Sequence, residues 1–377
     1  MLVSSVALWA LSYSVVKFGL REIAPLACPV LRYIERVSPR MARMLRVRCI
    51  STARRRLRLR MGATSRAANR ATKHGCRNPL RVAGTVGGMR AAFSIDPGQG
   101  LGERDELDLV RLAAALGYAA AWTPSGADAA AFERCLRWHE ASGLPVGISA
   151  VPASGQPPAF YAEHARRAWE GTGGRFTLVA GSGRMAHPAS GMRQYLADLR
   201  SLLPPGLPLF LAALGPLMLG VGGVLADGVA LNWCTAAQVA WSRTRVASAA
   251  MAAGRPVPSL VEYIRTAVDP DPGVARATLG AAVRPYALGI GGYRAHFERM
   301  GFAGELQRVE GQAADWDPAF LSAVGAWGVP GEVRGQVECL ADGLDLPIVR
   351  VLVAHRGDAA SARAVLEECA PARSSET

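Results

Sequence analysis

The chain has 377 residues, half of them hydrophobic, and a formal net charge of +13. Residues 1–88 hold 18 Lys and Arg against two acids, a net charge of +16, whereas the other 289 residues hold 25 basic and 28 acidic side chains. A basic chain often binds nucleic acid or an anionic membrane. Here the positive charge is confined to one segment, so the longer part gives no indication of a nucleic-acid partner.

The basic segment does not have the pattern of a folded domain. Leu2–Val16 is apolar but shorter than the roughly 20 residues of a membrane-spanning helix, and no basic residues precede it as in a secretory signal. Residues 1–25 resemble a fragment of the first helix of an EamA-type drug/metabolite transporter, but no further spans follow. A membrane anchor and a nucleic-acid arm remain alternatives, although no aromatic residue interrupts the arginines of Arg36–Arg81. We expect residues 1–88 not to be a functional domain, Met89 to be the native start, and membrane contact only if residues 1–25 are expressed.

Apolar strands and amphipathic helices alternate through residues 89–377. The predicted strands are Ala91–Ile95, Tyr118–Trp122, Pro145–Val151, Arg175–Ala180, Pro208–Ala212, Val229–Asn232, Leu260–Val268 and Pro347–Val353. The predicted helices are Glu103–Leu116, Ala127–Ser142, Pro157–Glu170, Met192–Leu203, one directly after Pro216, Ala236–Ala253 and Ala359–Glu368, with a long helical region from Pro272 to Leu344.

Eight such units with nearly continuous apolar strands predict an α/β fold, a (β/α)8 TIM barrel with an insertion between strands seven and eight. A doubly wound open sheet is the main alternative. Such a sheet normally carries G-x-G-x-x-G after its first strand, and Pro97–Gly102 does not supply this pattern.

The most informative segment is AALGPLMLGVGGVLADGVALNW, residues 212–233. Pro216 at the first position of a helix leaves the preceding backbone N–H groups free at the helix start, which suits a phosphate. A Gly-Pro dipeptide alone more often marks an ordinary strand-to-helix turn. The order A-x-G-P-x-M, then ADG, then Asn-Trp at a strand end resembles the luciferase-like monooxygenases and coenzyme F420-dependent oxidoreductases. The resemblance covers residues 89–353.

In a barrel, catalytic groups lie at the carboxyl ends of the strands. This rule and the following turns select candidates for a substrate pocket: Asp96, His187, Asn232 and Trp233. The sequence has no HExxH, no Walker loop and no paired carboxylates at strand ends, so no metal is expected and the catalytic residues stay unassigned. Few acid–base groups beside several glycine turns suit a cofactor that carries the chemistry.

The family resemblance implies where this cofactor lies. Ser149, Ala150 and Val151 match a bulge, often with a non-prolyl cis peptide, that backs the ring of the cofactor. Gly181, Ser182 and Gly183 match a turn that lines the cofactor. Ala213, Leu214, Gly215 and Pro216 match the turn that holds its phosphate. The resemblance differs at Trp122, which is followed by Thr123 where F420-dependent members often have an acid or histidine.

The expected function is that of an oxidoreductase that moves a hydride between coenzyme F420 and a small organic substrate. The alternatives are an FMN-dependent luciferase-like monooxygenase and, in another class, a cofactor-binding barrel without catalysis. Seven cysteines without a CxxC pair and without a signal peptide favour the cytoplasm. A homodimer is possible. We expect Asp227, between helix five and strand six, to lie at the opposite rim and to act in stability.

Overall fold

The structure, a computed structural model, describes residues 90–311 and 315–371. The predictions for residues 1–88 and for a start at Met89 lie outside the described residues. The described part of the chain belongs to one compact unit, Gly84–Thr377. None of its helices has both the length and the hydropathy to cross a bilayer.

Eight parallel strands of the described chain close into a barrel, and a short ninth strand pairs with the end of one of them. In chain order the strands are β1 Ala92–Ser94, β2 Ala121–Thr123, β3 Val146–Pro152, β4 Phe176–Gly181, β5 Leu209–Ala212, β6 Gly228–Asn232, β7 Ser259–Val268, β8 Ala326–Gly328 and β9 Leu346–Leu352. Strands β1 to β7 pair in sequence order, β7 pairs with β9, and β9 pairs with β1. The predicted TIM barrel is therefore confirmed.

Helices connect these strands and cover the outside of the barrel. They are α1 Glu103–Ala115, α2 Ala130–Ser142, α3 Pro158–Gly171, α4 Pro188–Leu202, α5 Pro216–Leu225, α6 Ala236–Ala252, α7 Pro272–Leu288, α8 Tyr293–Arg299, α9 Ala303–Gly311, α10 Pro318–Val324, α11 Val333–Leu340 and α12 Ala359–Glu368. Several begin with proline, whose missing N–H and fixed φ suit the first helical turn. Helix α4 begins one turn earlier than predicted because Pro188 starts it.

The predicted insertion is present between β7 and the closing strand β9. It contains α7 to α10, which enclose a small core of their own, where Trp316 donates to the Gly280 carbonyl at 3.0 Å. The long helical region predicted here also contains β8, which was not predicted because its three residues, Ala-Trp-Gly, form no apolar run. β8 pairs with the far end of β7, from Thr266 to Val268.

Aromatic rings fill the barrel interior toward the amino ends of the strands. The Trp122 indole lies over Gly147, where a Cβ atom would come within 2.7 Å of the ring. The Phe210 ring lies over Gly228 in the same way. Glycine at these two positions makes room for the rings, which fill this part of the barrel interior.

Candidate functional site

A cavity of about 240 Å³ opens at the carboxyl ends of the barrel strands. Its lining comes from five strands, the loop after β2 and the insertion: Pro124, Ser125, Ser149, Ala150, Ala212, Ala230, Leu231, Asn232, Tyr263, Arg265, Tyr286, Tyr293 and Arg350. In TIM-barrel enzymes the active site lies at this end of the barrel.

One wall of the cavity consists of very small side chains. β3 carries a bulge between Ser149 and Val151, and the Ser149–Ala150 peptide is cis, as the family resemblance implies. Ala150 and Ala212 line the cavity, and a Cβ atom on Gly181 would lie 3.4 Å and 3.5 Å from their Cβ atoms. Val151 is fully buried behind this wall. Such a flat wall has the shape to receive a planar ring.

The turn after β4 lies only partly at this wall. Gly181 faces Ala150, whereas Ser182 and Gly183 do not line the cavity. Gly183 has a φ of 58° and packs against Ser154, whose hydroxyl oxygen accepts from the Arg184 amide at 2.9 Å. Ser182 and Gly183 therefore lie beside the loop after β3, and the role of this turn in lining a cofactor stays a prediction.

The turn before α5 lies directly beside the cavity. It follows Ala212, and Ala213 is fixed by a hydrogen bond from its amide to the Ala230 carbonyl at 3.1 Å. Among the described residues the amides of Leu214 and Gly215 have no acceptor, and Pro216 begins the helix. No atom lies within 4 Å of the place of a Cβ on Gly215. Free N–H groups facing open space at a helix start form an anion-binding geometry.

Two exposed arginines lie near this turn. Arg299 donates to the Leu214 carbonyl at 3.1 Å, and its guanidinium lies 5.6 Å from the Trp241 ring centre. Arg245 lies 5.4 Å from the same ring centre. Neither guanidinium has a carboxylate within 4.0 Å among the described residues. Sequence reasoning missed both, because they come from α6 and α8 and carry no local motif.

A wider depression of about 570 Å³ lies between α5 and α6. It is open to solvent and is lined by Pro216, Gly220, Trp241, Thr244, Arg245, Ser248 and Ala249. It shares none of its lining residues with the cavity at the barrel mouth. The smaller cavity, which the strand ends enclose, is therefore the candidate site.

Arg265, on β7, is the central charged group of the cavity. It is only 3% exposed, and its guanidinium lies 4.1 Å from the Trp233 ring centre and 4.8 Å from that of Tyr286. It donates to the Asn232 side-chain oxygen and, at 3.1 Å, to the Tyr286 hydroxyl. Burial, together with the charge of Arg350, lowers the pKa of Arg265 to about 10, so the group remains cationic at neutral pH.

Asn232, predicted for the substrate pocket, does line the cavity. Its side-chain nitrogen donates to the Tyr293 hydroxyl at 2.6 Å. Burial raises the pKa of Tyr293 and of Tyr263 to about 12, so both phenols keep their protons across the physiological range.

Arg350, on β9, is the second buried guanidinium, 5% exposed, and it forms an ion pair with Asp96. The other carboxylate oxygen of Asp96 accepts from the Gly98 amide at 2.8 Å. Asp96 was predicted to line the substrate pocket, but it does not. Its carboxylate is occupied by Arg350 and by the turn, so its effect on the cavity is to neutralise and position Arg350.

Trp233 and His187 are also placed differently from expectation. Trp233 is fully buried, with a φ of 56°, and does not line the cavity. Its ring packs against the Arg265 guanidinium. His187 is exposed directly before α4 and does not line the cavity, because the chain has already turned outward at Gly183. Of the four predicted pocket residues, Asn232 alone lines the cavity.

The segment after Trp233 is held by buried groups. His296 donates to the Trp233 carbonyl at 3.0 Å, and the Cys234 amide donates to Glu262 at 2.7 Å. Burial raises the pKa of Glu262 to about 8 and lowers the pKa of His296 to about 4. Both side chains are therefore mainly uncharged at pH 7. They position the end of β6 and supply no counter-charge to the cavity.

Sequence reasoning missed the two buried arginines of the site. A signal for them was present, since VEYIRTAV and LPIVRVL each place a lone arginine within an apolar strand. A charged residue in a buried strand is rare unless it is paired or functional. Tyr286 and Tyr293 come from the insertion, and no pattern in the sequence indicated that they reach the cavity.

Residues 189–344 match the family model of the luciferase-like monooxygenases. This match confirms the resemblance drawn from the A-x-G-P, ADG and Asn-Trp segments, all of which lie within it. A search of curated proteins finds no match to the chain.

Solved structures of the same fold include F420-dependent and FMN-binding proteins. The coenzyme F420-dependent tetrahydromethanopterin reductase of Methanopyrus kandleri is 16% identical, with a TM-score of 0.57 over 74% of this chain and 98% of that one. An F420-dependent secondary alcohol dehydrogenase, solved with an F420–acetone adduct, is 12% identical, with a TM-score of 0.56 over 74% and 98%. The oxygenating constituent of 3,6-diketocamphane monooxygenase from Pseudomonas putida, solved with FMN, is 12% identical, with a TM-score of 0.52 over 75% and 98%. At these identities the similarity establishes the fold.

Proposed function

We propose that this protein is an oxidoreductase that binds a flavin-type cofactor at the barrel mouth, with coenzyme F420 as the preferred cofactor and a small organic molecule as substrate. The observation that carries the proposal is the adjacency of two features. A cavity wall of small residues around the Ser149–Ala150 bulge lies beside a turn whose Leu214 and Gly215 amides are free.

The residues present fit such a cofactor. Ala150, Ala212 and Gly181 would lie against its planar ring, with Val151 packed behind them. The amides of Leu214 and Gly215 would bind its phosphate at the start of α5. When bound in reduced form, F420 supplies a hydride.

The preference for F420 over FMN rests on the turn and on the arginines beyond it. The A-x-G-P turn resembles the F420-dependent branch of the family more closely. The tail of F420 carries glutamate carboxylates beyond its phosphate, whereas FMN ends at the phosphate. Arg299 and Arg245, which have no carboxylate partner among the described residues, are placed to attract such carboxylates.

The chain's own groups at the cavity are hydrogen-bond donors. Tyr263, Tyr286 and Tyr293 present phenol groups to the cavity, and Arg265 presents a guanidinium. Their role in the proposed reaction is to bind and orient a substrate and to exclude water, and we assign no proton-transfer residue among them. No carboxylate lines the cavity among the described residues, which also suits the alternative of a cofactor-binding barrel without catalysis.

Titration of the full chain with F420 and with FMN, followed by tryptophan fluorescence and cofactor absorbance, tests the proposal. We expect a measurable dissociation constant for F420 and weaker binding of FMN. Equal or tighter binding of FMN would favour the alternative of an FMN-dependent monooxygenase, which the fold also accommodates. Failure to bind either cofactor would contradict the proposed function.

A further inference from the structure

We infer that the substrate of this cavity is a small organic monoanion, a carboxylate or a sulfonate, and that Arg265 binds its charged group. The inference deepens the proposed function and rests on it, since it takes the cavity to be the reaction site. Three features of the described residues support it: an unbalanced buried charge, a wall of hydrogen-bond donors, and a small cavity volume.

The first feature is the unbalanced charge of Arg265. The side chain is 97% buried, yet no carboxylate lies within 4.0 Å of its nitrogens among the described residues. Glu262, also on β7 and buried, accepts from the Cys234 amide, and burial raises its pKa to about 8, so it is mainly protonated at pH 7. Arg350 differs, since Asp96 neutralises it. A buried guanidinium without a counter-ion is costly, and an anionic ligand at this position offsets that cost.

The second feature is the direction of the hydrogen bonds around Arg265. The Tyr286 hydroxyl oxygen accepts from Arg265, so its own hydrogen remains available to a ligand. Asn232 accepts from Arg265 and donates to Tyr293, whose hydroxyl hydrogen is likewise available. The hydrogen bonds therefore run outward from the guanidinium and end in two phenol donors. Such a chain polarises each donor in turn and is complementary to an anion.

The guanidinium is also held in place before any ligand arrives. The ring centre of Trp233 lies 4.1 Å from the guanidinium carbon, and that of Tyr286 lies 4.8 Å from it. Two of its five N–H groups bond to Asn232 and Tyr286, and the others have no acceptor among the described residues. A fixed planar fork with free N–H groups matches the paired oxygens of a carboxylate or sulfonate.

The third feature is the size and chemistry of the remaining wall. The cavity has about 240 Å³, and Ala150, Ala212 and Ala230 form its apolar side. One uncompensated cation favours a ligand with a single negative charge over a phosphate dianion. The cofactor ring would cover Ala150 and Ala212, so the room left for a substrate is smaller than the whole cavity and its remaining alanine is Ala230. A short aliphatic acid satisfies both limits, with its carbon chain beside Ala230 and its charged group on Arg265.

The probes for the test are propionate, propane-1-sulfonate and the neutral isostere propionamide. Binding to the full chain is measured by calorimetry and by the fluorescence of tryptophan, since Trp233 lies against the guanidinium. We expect at least one of the two anions to bind on the order of 30-fold more tightly than propionamide. The anion that binds more tightly identifies the charged group of the substrate. If propionamide binds as tightly as both anions, the inference is overturned.

Two substitutions separate anion binding from folding. Arg265→Gln removes the charge and is expected to lose the preference for anions. Asn232→Asp is nearly isosteric and supplies an internal carboxylate at the same hydrogen-bond position, so it is expected to lose anion binding without a lower melting temperature. Arg243→Gln, which removes an arginine paired with Asp345, is the matched control and is expected to bind anions as the wild type does.

The same proteins are titrated with F420 and FMN so that the two proposals fail separately. If the wild type binds a cofactor but prefers neither anion, this inference alone fails. If the wild type binds neither cofactor, the proposed function fails, and with it the assignment of the anion as substrate. If Arg265→Gln weakens cofactor binding as much as anion binding, Arg265 serves the cofactor and the inference is overturned.

Discussion

The two ends of the barrel differ in how their charged side chains are paired. At the amino ends of the strands, Asp227 pairs with Arg200 and accepts from the Leu209 amide at 2.9 Å. Asp345 likewise pairs with Arg243 at 2.7 Å and accepts from the amide of Leu260 at the start of β7. Each of these carboxylates ties a helix or loop to the beginning of a strand, so both are satisfied within the fold.

At the carboxyl ends, several cations have no carboxylate partner among the described residues, and three of them lie in the cavity or near the turn before α5. Arg265 lies inside the cavity, and Arg245 and Arg299 lie near the turn before α5. The neutralised pair of Arg350 and Asp96 is the exception at this end. The comparison indicates that Asp227 and Asp345 stabilise the amino rim, whereas the proposed ligand site at the carboxyl rim contains cations without a carboxylate partner.

The largest effect is expected from Gly215→Val, which tests the ligand-binding rim. Gly215 has a φ of −89°, which any residue adopts, so the substitution causes no backbone strain. Apart from its chain neighbours, a Cβ there meets no protein atom within 4 Å, so the valine side chain would occupy the space proposed for the phosphate. We expect a loss of about 2–3 kcal/mol in F420 binding, measured by titration. The melting temperature should stay near the wild-type value.

The turn that contains Gly215 is one of the features that could be predicted from the sequence. The order of strands and helices, the insertion and the A-x-G-P turn follow from local pattern, because apolar periodicity and proline positions act over a few residues. The site does not follow in this way. Arg265 meets Tyr286 and Tyr293 only after the insertion folds over the barrel, and Arg299 reaches Leu214 across 85 residues. The contact between Asp96 and Arg350 could not be predicted for the same reason, since the two residues lie 254 positions apart.

The next effect concerns Glu262, whose neutral state keeps Arg265 without a counter-ion. The pKa of Glu262 is about 8 in the folded protein against its ordinary value of 4.5, so between these pH values the folded protein retains a proton that the unfolded chain has lost. Stability from this group is therefore full below pH 4.5 and is lost as pH rises through 8. Glu262→Gln should match the wild type at pH 5 and be more stable by on the order of 2 kcal/mol at pH 9. Chemical denaturation at each pH measures this.

The substituted glutamine keeps the acceptor for the Cys234 amide, which makes the variant a clean comparison. His296 also contacts Cys234, and burial lowers its pKa to about 4. Below pH 6.5 the unfolded chain therefore binds a proton that folded His296 does not, and both proteins lose stability to the same extent. A strong loss of stability in Glu262→Gln at pH 7 would mean that Glu262 is ionised there and serves as the counter-ion of Arg265. The contrast between the two rims would then be much weaker.

Asp227→Ala tests the other rim. The substitution leaves the Leu209 amide and Arg200 without their acceptor, although the carboxylate is partly exposed and the ion pair is screened by solvent. We expect a loss of about 1 kcal/mol in stability, or roughly 2–4 °C in melting temperature, with F420 affinity unchanged. Weakened cofactor binding by Asp227→Ala together with a lower melting temperature for Gly215→Val would reverse the assignment of the two rims.

A smaller effect is expected from Arg299→Gln, which removes one exposed cation near the turn. Its hydrogen bond to the Leu214 carbonyl is retained by the glutamine amide only if the shorter side chain reaches. We expect F420 binding to weaken by about twofold to fivefold, with less dependence on salt, because exposed charges act through a screened field. FMN binding should change less than F420 binding. Equal effects on both cofactors would remove the argument that these arginines recognise the F420 tail.

The smallest effect is expected from deleting residues 1–88. The charge of +16 belongs to that segment, while residues 89–377 carry a net charge near zero and contain every strand and helix of the described barrel. Both rims therefore remain complete in the shortened chain, and we expect its melting temperature, followed by circular dichroism, and its cofactor affinity to match those of the full chain. Aggregation of the shortened protein, or loss of its melting transition while the full chain melts cooperatively, would show that the basic segment contributes to the fold. The positive charge that matters for ligands would then extend beyond the carboxyl rim.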